Sequence, residues 1–510
     1  MSILTVKDLS FTYPSGTQAL NDISLDIDEG SFVTLCGASG CGKSTLLRLM
    51  KQGLSPRGKV TGDVLYLGEP LSGLDAERAA AETGFVMQQP EAQIVTDKVW
   101  HELAFSLEST GVPQGEMRRR VGEMASYFGL DDRFFDDTAS LSGGQKQLLA
   151  LAGAAALHPR VLLLDEPTSQ LDPISAREMI EAVTRLNRDF GVTIVIAEHR
   201  LEELLYISDR IIVMERGKVI ADSTPSEILT ALPTKHPMIS AMPVSVRLYA
   251  MGGGIDNAPL TIRDGRNNDI CRRAMEQLRP EQTARTHDGE VLISARELWL
   301  SYGKDRPDVL NNAAVEVRAG EVLAVLGGNG SGKTTLLKCL SGALKPLGGK
   351  VTRKKGIVTA YLPQEPCELF RHDTVREELS YMATDLIPES LYDRHPYDLS
   401  GGEQQRLAIA KLLQKEPDVL LLDEPTKGMD AASKEALALL LRDISSKGMA
   451  VVLVTHDTEL AAECADTCAL LFSGEIVNTA PPAEFFSDNY FYTTPARRIT
   501  RGIADNIISL

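Results

Sequence analysis

Two octets of this sequence place glycines, a lysine and a hydroxyl at one spacing: Gly37-Ala38-Ser39-Gly40-Cys41-Gly42-Lys43-Ser44 and Gly327-Gly328-Asn329-Gly330-Ser331-Gly332-Lys333-Thr334. Both fit G-x-x-x-x-G-K-[ST]. The glycines let the backbone turn its N–H groups toward phosphates, the lysine neutralises β and γ oxygens, and the hydroxyl reaches Mg²⁺. Each octet follows an apolar strand-like run and opens a helical one, the context such a loop requires. Asp165-Glu166 and Asp423-Glu424 each end an apolar VLLL run. A buried strand delivers such a pair to its carboxyl end, where ligands sit in open α/β sheets. The Asp can hold Mg²⁺ through water and the Glu can polarise an attacking water. Acids after a strand often only cap a helix; the phosphate loops argue for chemistry here.

His199 in IVIAEHR and His456 in VLVTHD lie 34 and 33 residues beyond the two aspartates. An isolated histidine there would read as a core residue, but two at nearly one spacing suit contact with a γ-phosphate and a positioned water. Ser142-Gly143-Gly144-Gln145 and Ser400-Gly401-Gly402-Glu403 precede helical sequence. They are either ordinary N-caps or anion sites at a helix N-terminus. Because each copy already owns a phosphate loop, a second anion site suggests a phosphate delivered by the other half.

These groups must be positioned twice. LSGGQKQ and LSGGEQQ, and the two VLLLDEPT runs, keep one offset of 258 residues, whereas the Gly-rich loops are 290 apart. The second copy is therefore 32 residues shorter between loop and Ser-Gly-Gly turn, where a helical subdomain is expected. Apolar runs at 32–36, 161–164 and 193–197 alternate with helical sequence, which predicts a largely parallel sheet covered by helices. Alternating runs before Gly30 and Gly320 predict an antiparallel β-layer beside a nucleotide base. The expected fold is α/β: two P-loop domains, each with a mainly parallel sheet core, an antiparallel β-layer and a helical subdomain. The expected boundaries are 1–232 and 290–490 for the domains, 233–289 for a linker and 491–510 for a tail. In the linker Pro, Gly, Asn and Arg gather (PTKHPMISAMP, MGGGIDNAP), favouring irregular backbone with at most a short helix near 270–278.

A length of 510 residues with 43% hydrophobic content suits a globular protein of several domains. The net charge of −17 and pI near 5.1 argue against a chain that wraps nucleic acid. No apolar run reaches eighteen residues and the start lacks the pattern of a secretory signal, so membrane contact is expected only through a partner, at the cytoplasmic face. Seven cysteines fall in no metal-like or disulfide-like rhythm; Cys464 and Cys468, four apart, could share a helix face and read as small core residues.

Together these motifs resemble those of the ATP-binding-cassette ATPases, over roughly 440 residues of the chain. The resemblance implies ATP and Mg²⁺ as cofactors. It implies nucleotide contacts from both octets and the following Thr45 and Thr335, adenine stacking on Tyr13 and Tyr302, and signature turns at 142–145 and 400–403. Catalytic roles would fall to Glu166, Glu424, His199 and His456 with the Q-loop residues Gln88 and Gln364. Mg²⁺ would lie on Ser44, Asp165 and Gln88 in one half and on Thr334, Asp423 and Gln364 in the other; Asp172 and Asp430 match the D-loop. In that family the domains pair head to tail, so one ATP would lie between Lys43 and Ser400 and the other between Lys333 and Ser142. Leu148 stands where the family usually has the arginine kept at Arg406, which puts local packing of the first signature helix in question.

The finer resemblance is to the fused ATPase subunits of energy-coupling factor transporters, which import vitamins and transition-metal ions. It is carried by FTYPSGTQALNDISLDI, QQPEAQIVTDKVWHELAF and FFSDNYFYTTPARR. It implies membrane partners, a coupling-helix subunit and a substrate-binding subunit, meeting the segments after Gln88 and Gln364. Glu91 and Glu365 would there face partner arginines, unless they are only solvated surface acids. A tandem sugar-importer ATPase is an alternative, although both half-sites here are whole. A ribosome-binding cassette factor is disfavoured by the acidic charge and by a linker, 241–290, whose seven arginines are balanced by seven acids. DNA-repair cassettes lack support, since no coiled-coil heptads or CxxC pairs interrupt the domains.

Overall fold

A computed structural model describes residues 1–233, 236–279, 289–303, 307–382, 384, 386–490 and 492–510. The chain divides into two compact units, Met1–Gly265 and Arg266–Leu510.

In the first unit the core is a six-stranded sheet centred on Phe32–Gly37, flanked by Thr193–Ala197 and Arg210–Glu215 and extended by Val161–Asp165, Thr83–Val86 and Lys218–Ser223. All pairs are parallel except the edge pair of Lys218–Ser223 with Arg210–Glu215. Phe32–Gly37, Val161–Asp165 and Thr193–Ala197 are buried at every position, as parallel strands covered on both faces must be. Ser2–Thr12, Gln18–Asp28 and Lys59–Tyr66 form the antiparallel layer with the short Glu69–Pro70. Between the layers lies a core holding Phe11, Leu35, Leu46, Leu163 and Val195. The helical subdomain contains Val99–Ser109 and Gln114–Tyr127, packed on the helix Gly143–Ala155.

The second unit repeats this plan. Val322–Leu326 lies between Ala450–Thr455 and Thr467–Phe472, with Val419–Asp423, Thr359–Leu362 and the antiparallel edge Glu475–Ala480 completing six strands; Leu310–Arg318, Val291–Leu300 and Gly348–Arg353 form the second layer. Where the first unit has two subdomain helices, the second has one α-helix among the described residues, Val375–Glu378, and two 3₁₀ turns. Part of the length difference between the copies lies here; the rest lies ahead of the Q-loop strand, where, among the described residues, the first unit alone carries Glu69–Pro70 and the helix Ala76–Glu82.

The segment expected to be an irregular linker carries more order than its composition announces. Among its described residues are the helices Val244–Met251, Ile262–Asn267 and Asp269–Gln277, not one short helix alone; residues 234, 235 and 280–288 lie outside the described set. Val244, Val246 and Leu248 are buried, and the Val244 amide donates to Glu202 at 3.1 Å in the loop after His199, so the first of these helices packs into the first unit. The division between units falls at 265/266, inside this segment. Asp269–Gln277 is capped by Asn268 and buries Cys271, Ala274 and Met275, matching the short helix expected there. The tail holds the helix Pro495–Thr500. Cys464 ends the helix Thr458–Cys464 whereas Cys468 lies on a strand, so they share no helix face; both are buried core thiols.

Candidate nucleotide sites

Parallel pairing brings the candidate residues to one edge. Asp165 lies opposite Ala197 and Leu35 opposite the same residue, so Glu166, Glu198, His199 and the loop after Gly37 all leave the sheet at its carboxyl ends. The Glu166 amide donates to Ala197 O at 3.0 Å, and that of Glu198 to Leu35 O at 3.0 Å. In the second unit Asp423 faces Val454 and Leu326 faces Thr455, and the Glu424 amide donates to Val454 O at 2.9 Å.

Gly42 and Gly332 hold φ of 109° and 102°, and a Cβ on either would stand 2.5 Å from a backbone oxygen, of Ala19 or Val309. Glycine is required there by conformation and by space. Each loop turns into a helix, Lys43–Leu49 or Lys333–Ser341, whose N-terminal amides can receive phosphate. Lys43 Nζ donates to Gly37 O at 3.0 Å and lies 3.8 Å from Glu166 Oε1; Lys333 Nζ donates to Gly327 O at 2.8 Å and lies 3.6 Å from Glu424 Oε1. Ser44 Oγ donates to Asp165 Oδ1 at 2.7 Å, and Thr334 Oγ1 to Asp423 Oδ1 at 3.1 Å. A hydroxyl beside one carboxylate fits Mg²⁺, which takes few protein oxygens and completes its octahedron with phosphates and water. Burial pushes both aspartates above their ordinary pKa, with the neighbouring Glu166 or Glu424 adding to it and the hydroxyl bond opposing it.

Glu166 and Glu424 occupy the left-handed region, φ 46° and 49°, which costs a residue with a Cβ about 1–3 kcal/mol. Strain of this kind, at a buried carboxylate beside a lysine and a histidine, marks a site where geometry outranks stability. His199 Nε2 lies 2.8 Å from Glu166 Oε1 and 3.3 Å from Lys43 Nζ; His456 Nδ1 lies 2.8 Å from Glu424 Oε2. Burial raises the Glu424 carboxyl, but His456 and Lys333 outweigh it and hold the group below the usual range, so it stays ionised as a base must. Gln88 Nε2 donates to Glu166 Oε2 at 2.9 Å, whereas Gln364 is exposed. The Q-loop thus reaches the carboxylate in one unit only among the described residues. Tyr13 and Tyr302 each join their hydroxyls to the threonine after the loop, Thr45 at 2.9 Å and Thr335 at 3.0 Å.

The Ser-Gly-Gly turns take the capping reading literally. Ser142 and Gln145 form a capping box at the head of Gly143–Ala155, whereas at the head of Gly401–Leu413 Ser400 donates both its amide and its hydroxyl to Glu403 Oε2, each at 2.8 Å. Asp172 accepts from the amides of Ile174 and Ser175 at 2.9 and 3.1 Å, and Asp430 from Ser433 at 2.9 Å, so both D-loop candidates are N-caps. Arg406 Nη1 donates to Ser433 Oγ at 3.3 Å, linking signature helix to D-loop helix; Leu148 packs against the first unit's core. Glu91 and Glu365 each hold an ion pair within their own unit, Glu91 with Lys146 at 2.9 Å and Glu365 with Lys427 at 2.7 Å.

One residue escaped sequence reasoning. Glu198 is 1% exposed and accepts from Thr168 N at 2.8 Å, Thr168 Oγ1 at 2.6 Å and the His199 amide at 3.1 Å, tying together the turns that carry Glu166 and His199. The signal was a carboxylate inside the apolar run IVIAEHR; the second copy has Thr455 there.

The sequence profile of the family described as ABC transporter matches residues 20–169 and 310–427, together more than half of the chain. An ABC transporter ATP-binding protein of Bacillus anthracis, named for its family alone, is 38% identical over 97% of this chain and 95% of its own length. One from Methanosarcina mazei is 34% identical over 95% of this chain and 90% of its own. Among solved structures, the archaeal ribosome recycling factor aABCE1 aligns with 94% of this chain and 90% of its own at 22% identity and a TM-score of 0.59, a likeness of fold. With two phosphate loops on two α/β units, the chain belongs to the ABC transporter family and is an ATP-binding ABC ATPase with its cassette written twice.

Proposed function

We propose that this chain is the ATP-hydrolysing subunit of a membrane importer of the energy-coupling factor type, taking up a vitamin, a vitamin precursor or a transition-metal ion. The observation that carries the reading is the hydrogen bond from Gln88 to Glu166, because it joins the carboxylate beside the phosphate loop to a segment suited to a membrane partner. Just beyond Gln88 the chain exposes Val95, Trp100 and Phe105, with Phe135 nearby through the bond of the Trp100 amide to Phe134 O. Apolar side chains gathered on one surface suit a binding face, whereas single exposed ones would not. Tyr381, Met382 and Tyr397 are exposed in the corresponding part of the second unit. No described helix is long and apolar enough to cross a membrane, so transport would need separate membrane subunits. The three phrases that resemble fused energy-coupling ATPases favour this importer class over a sugar importer, as does the presence of Lys, hydroxyl, Asp, Glu and His in both units.

In this reading Glu166 and Glu424 orient the attacking water, with His199 and His456 beside the terminal phosphate. Lys43 and Lys333 neutralise phosphate charge, and Mg²⁺ rests on Ser44 with Asp165 and on Thr334 with Asp423. The signature turns at Ser142 and Ser400 would supply the further phosphate contacts that the resemblance implies. Isolation of the chain from native membranes tests the assignment. Two co-purifying polytopic proteins, a coupling-helix subunit and a substrate-binding subunit, support it; ribosomal proteins and RNA, or no membrane protein at all, sink it.

A further inference from the structure

The C-terminal segment is built onto the strand that delivers the second phosphate loop. Phe485 and Phe486, on the helix Pro482–Asp488, are fully buried and share a core with Ala324 and Leu326 of Val322–Leu326 and with Ile508 near the chain end. Thr493 Oγ1 donates to Phe486 O at 2.5 Å, and buried Thr494 caps Pro495–Thr500 by accepting from the Arg497 amide at 3.1 Å. Arg501 donates to Ser487 O at 3.1 Å and Asn489 O at 3.2 Å and lies over the Tyr490 ring. Between these anchors Tyr492 points its hydroxyl at the loop: the place a Cβ on Gly328 would take is 3.5 Å from Tyr492 Oη, the one atom near it. The Gly328 carbonyl accepts from Lys333 Nζ at 3.1 Å, and the same Nζ faces Glu424. Gly328 therefore marks the end of the loop where lysine and carboxylate converge, the end a terminal phosphate takes. Among the described residues the Tyr492 hydroxyl has no hydrogen-bond partner, and a phenol O–H is a donor matched to a phosphate oxygen.

We propose that Tyr492 is a nucleotide-contacting residue of the second site, donating to the terminal phosphate so that the C-terminal segment distinguishes ATP from ADP there. The inference rests on the reading of the second loop as an ATP site. The experiment uses a full-length chain carrying Lys43→Ala to weaken the first site, titrated with Mg²⁺ and either AMP-PNP or ADP, with and without Tyr492→Phe. The phenylalanine keeps the ring and its packing, and ADP affinity serves as the control for folding. A hydrogen bond to a charged group predicts AMP-PNP affinity lower on the order of tenfold in the variant, with ADP affinity unchanged. Equal weakening of both ligands would reduce Tyr492 to a loop support and overturn the proposal, as would unchanged affinity for both. If the parent Lys43→Ala chain binds neither nucleotide, this proposal and the reading of the second site fall together.

Discussion

Replacing Gly332 by alanine separates what the second phosphate loop owes to glycine's freedom from what it owes to space. Gly332 sits at φ 102°, and an added methyl would meet Val309 O at 2.5 Å and Leu310 Cδ2 at 3.1 Å, where Leu310–Arg318 begins. Gly330, two residues earlier, has φ 76° and nothing within 4 Å of the same methyl. Gly330→Ala thus pays only for the left-handed backbone, about 1–2 kcal/mol. Gly332→Ala adds a clash with backbone that cannot swing aside, and overpacking of that kind costs about 1–3 kcal/mol more. Thermal unfolding without nucleotide reads the difference. For a unit of this size each kcal/mol moves the midpoint by about 2–4 °C. Gly330→Ala should lower it by a few degrees and Gly332→Ala by about twice as much. Gly332→Ala should also displace Lys333 and Thr334 and abolish binding at that loop. If Gly330→Ala destabilises as much as Gly332→Ala, or if Gly332→Ala binds Mg²⁺-ATP with two equivalents, the steric account of this turn is wrong.

Other expectations follow from single contacts. Lys43→Ala removes the buried cation that faces Glu166 and His199, so equilibrium titration with a non-hydrolysable ATP analogue should fall from two equivalents toward one, since Lys333 serves the other loop; two sites of unchanged affinity would refute this. Burial raises the Glu198 carboxyl above its ordinary value despite the Thr168 bonds, so across that window the folded chain holds more protons than the unfolded one and loses stability as pH rises. Glu198→Gln should gain on the wild type in melting temperature from acid to neutral pH, whereas parallel curves would show that the carboxyl does not titrate in that window. Glu91→Arg exchanges a half-exposed ion pair with Lys146, worth at most about 1 kcal/mol, for two like charges. The variant should fold and bind nucleotide but leave the membrane fraction; its retention there at wild-type levels, in low and high salt, would remove Glu91 from the partner interface.

Much of the candidate site could be read before any coordinates, because its elements are local. The octets announce their own turns, and VLLLD is apolar at every position that two covered faces require, so the parallel sheet and the edge that gathers Asp165, Glu166 and His199 followed from short runs. What could not be read depends on distant partners. Val244–Met251 sits in a Pro- and Gly-rich stretch and owes its order to burial and to Glu202, far back in the chain. The left-handed turns at Glu166 and Glu424 are imposed by the surrounding strands and leave no mark on residue type. Lys146 and Lys427, which hold Glu91 and Glu365, lie 55 and 62 residues away from them. Tyr492, which approaches Gly328, lies 164 residues beyond it in the chain.

The claim that both units hydrolyse ATP is tested most directly by steady-state turnover of the full-length chain carrying Glu166→Gln, Glu424→Gln or both. Each carboxylate stands beside its own lysine and histidine, and loss of a water-orienting base costs about 10²- to 10⁴-fold at the affected site. The account predicts that each single variant loses activity, that both still bind ATP, and that the double variant is inactive. A single variant that turns over ATP like the wild type would make that site regulatory and contradict the symmetric reading.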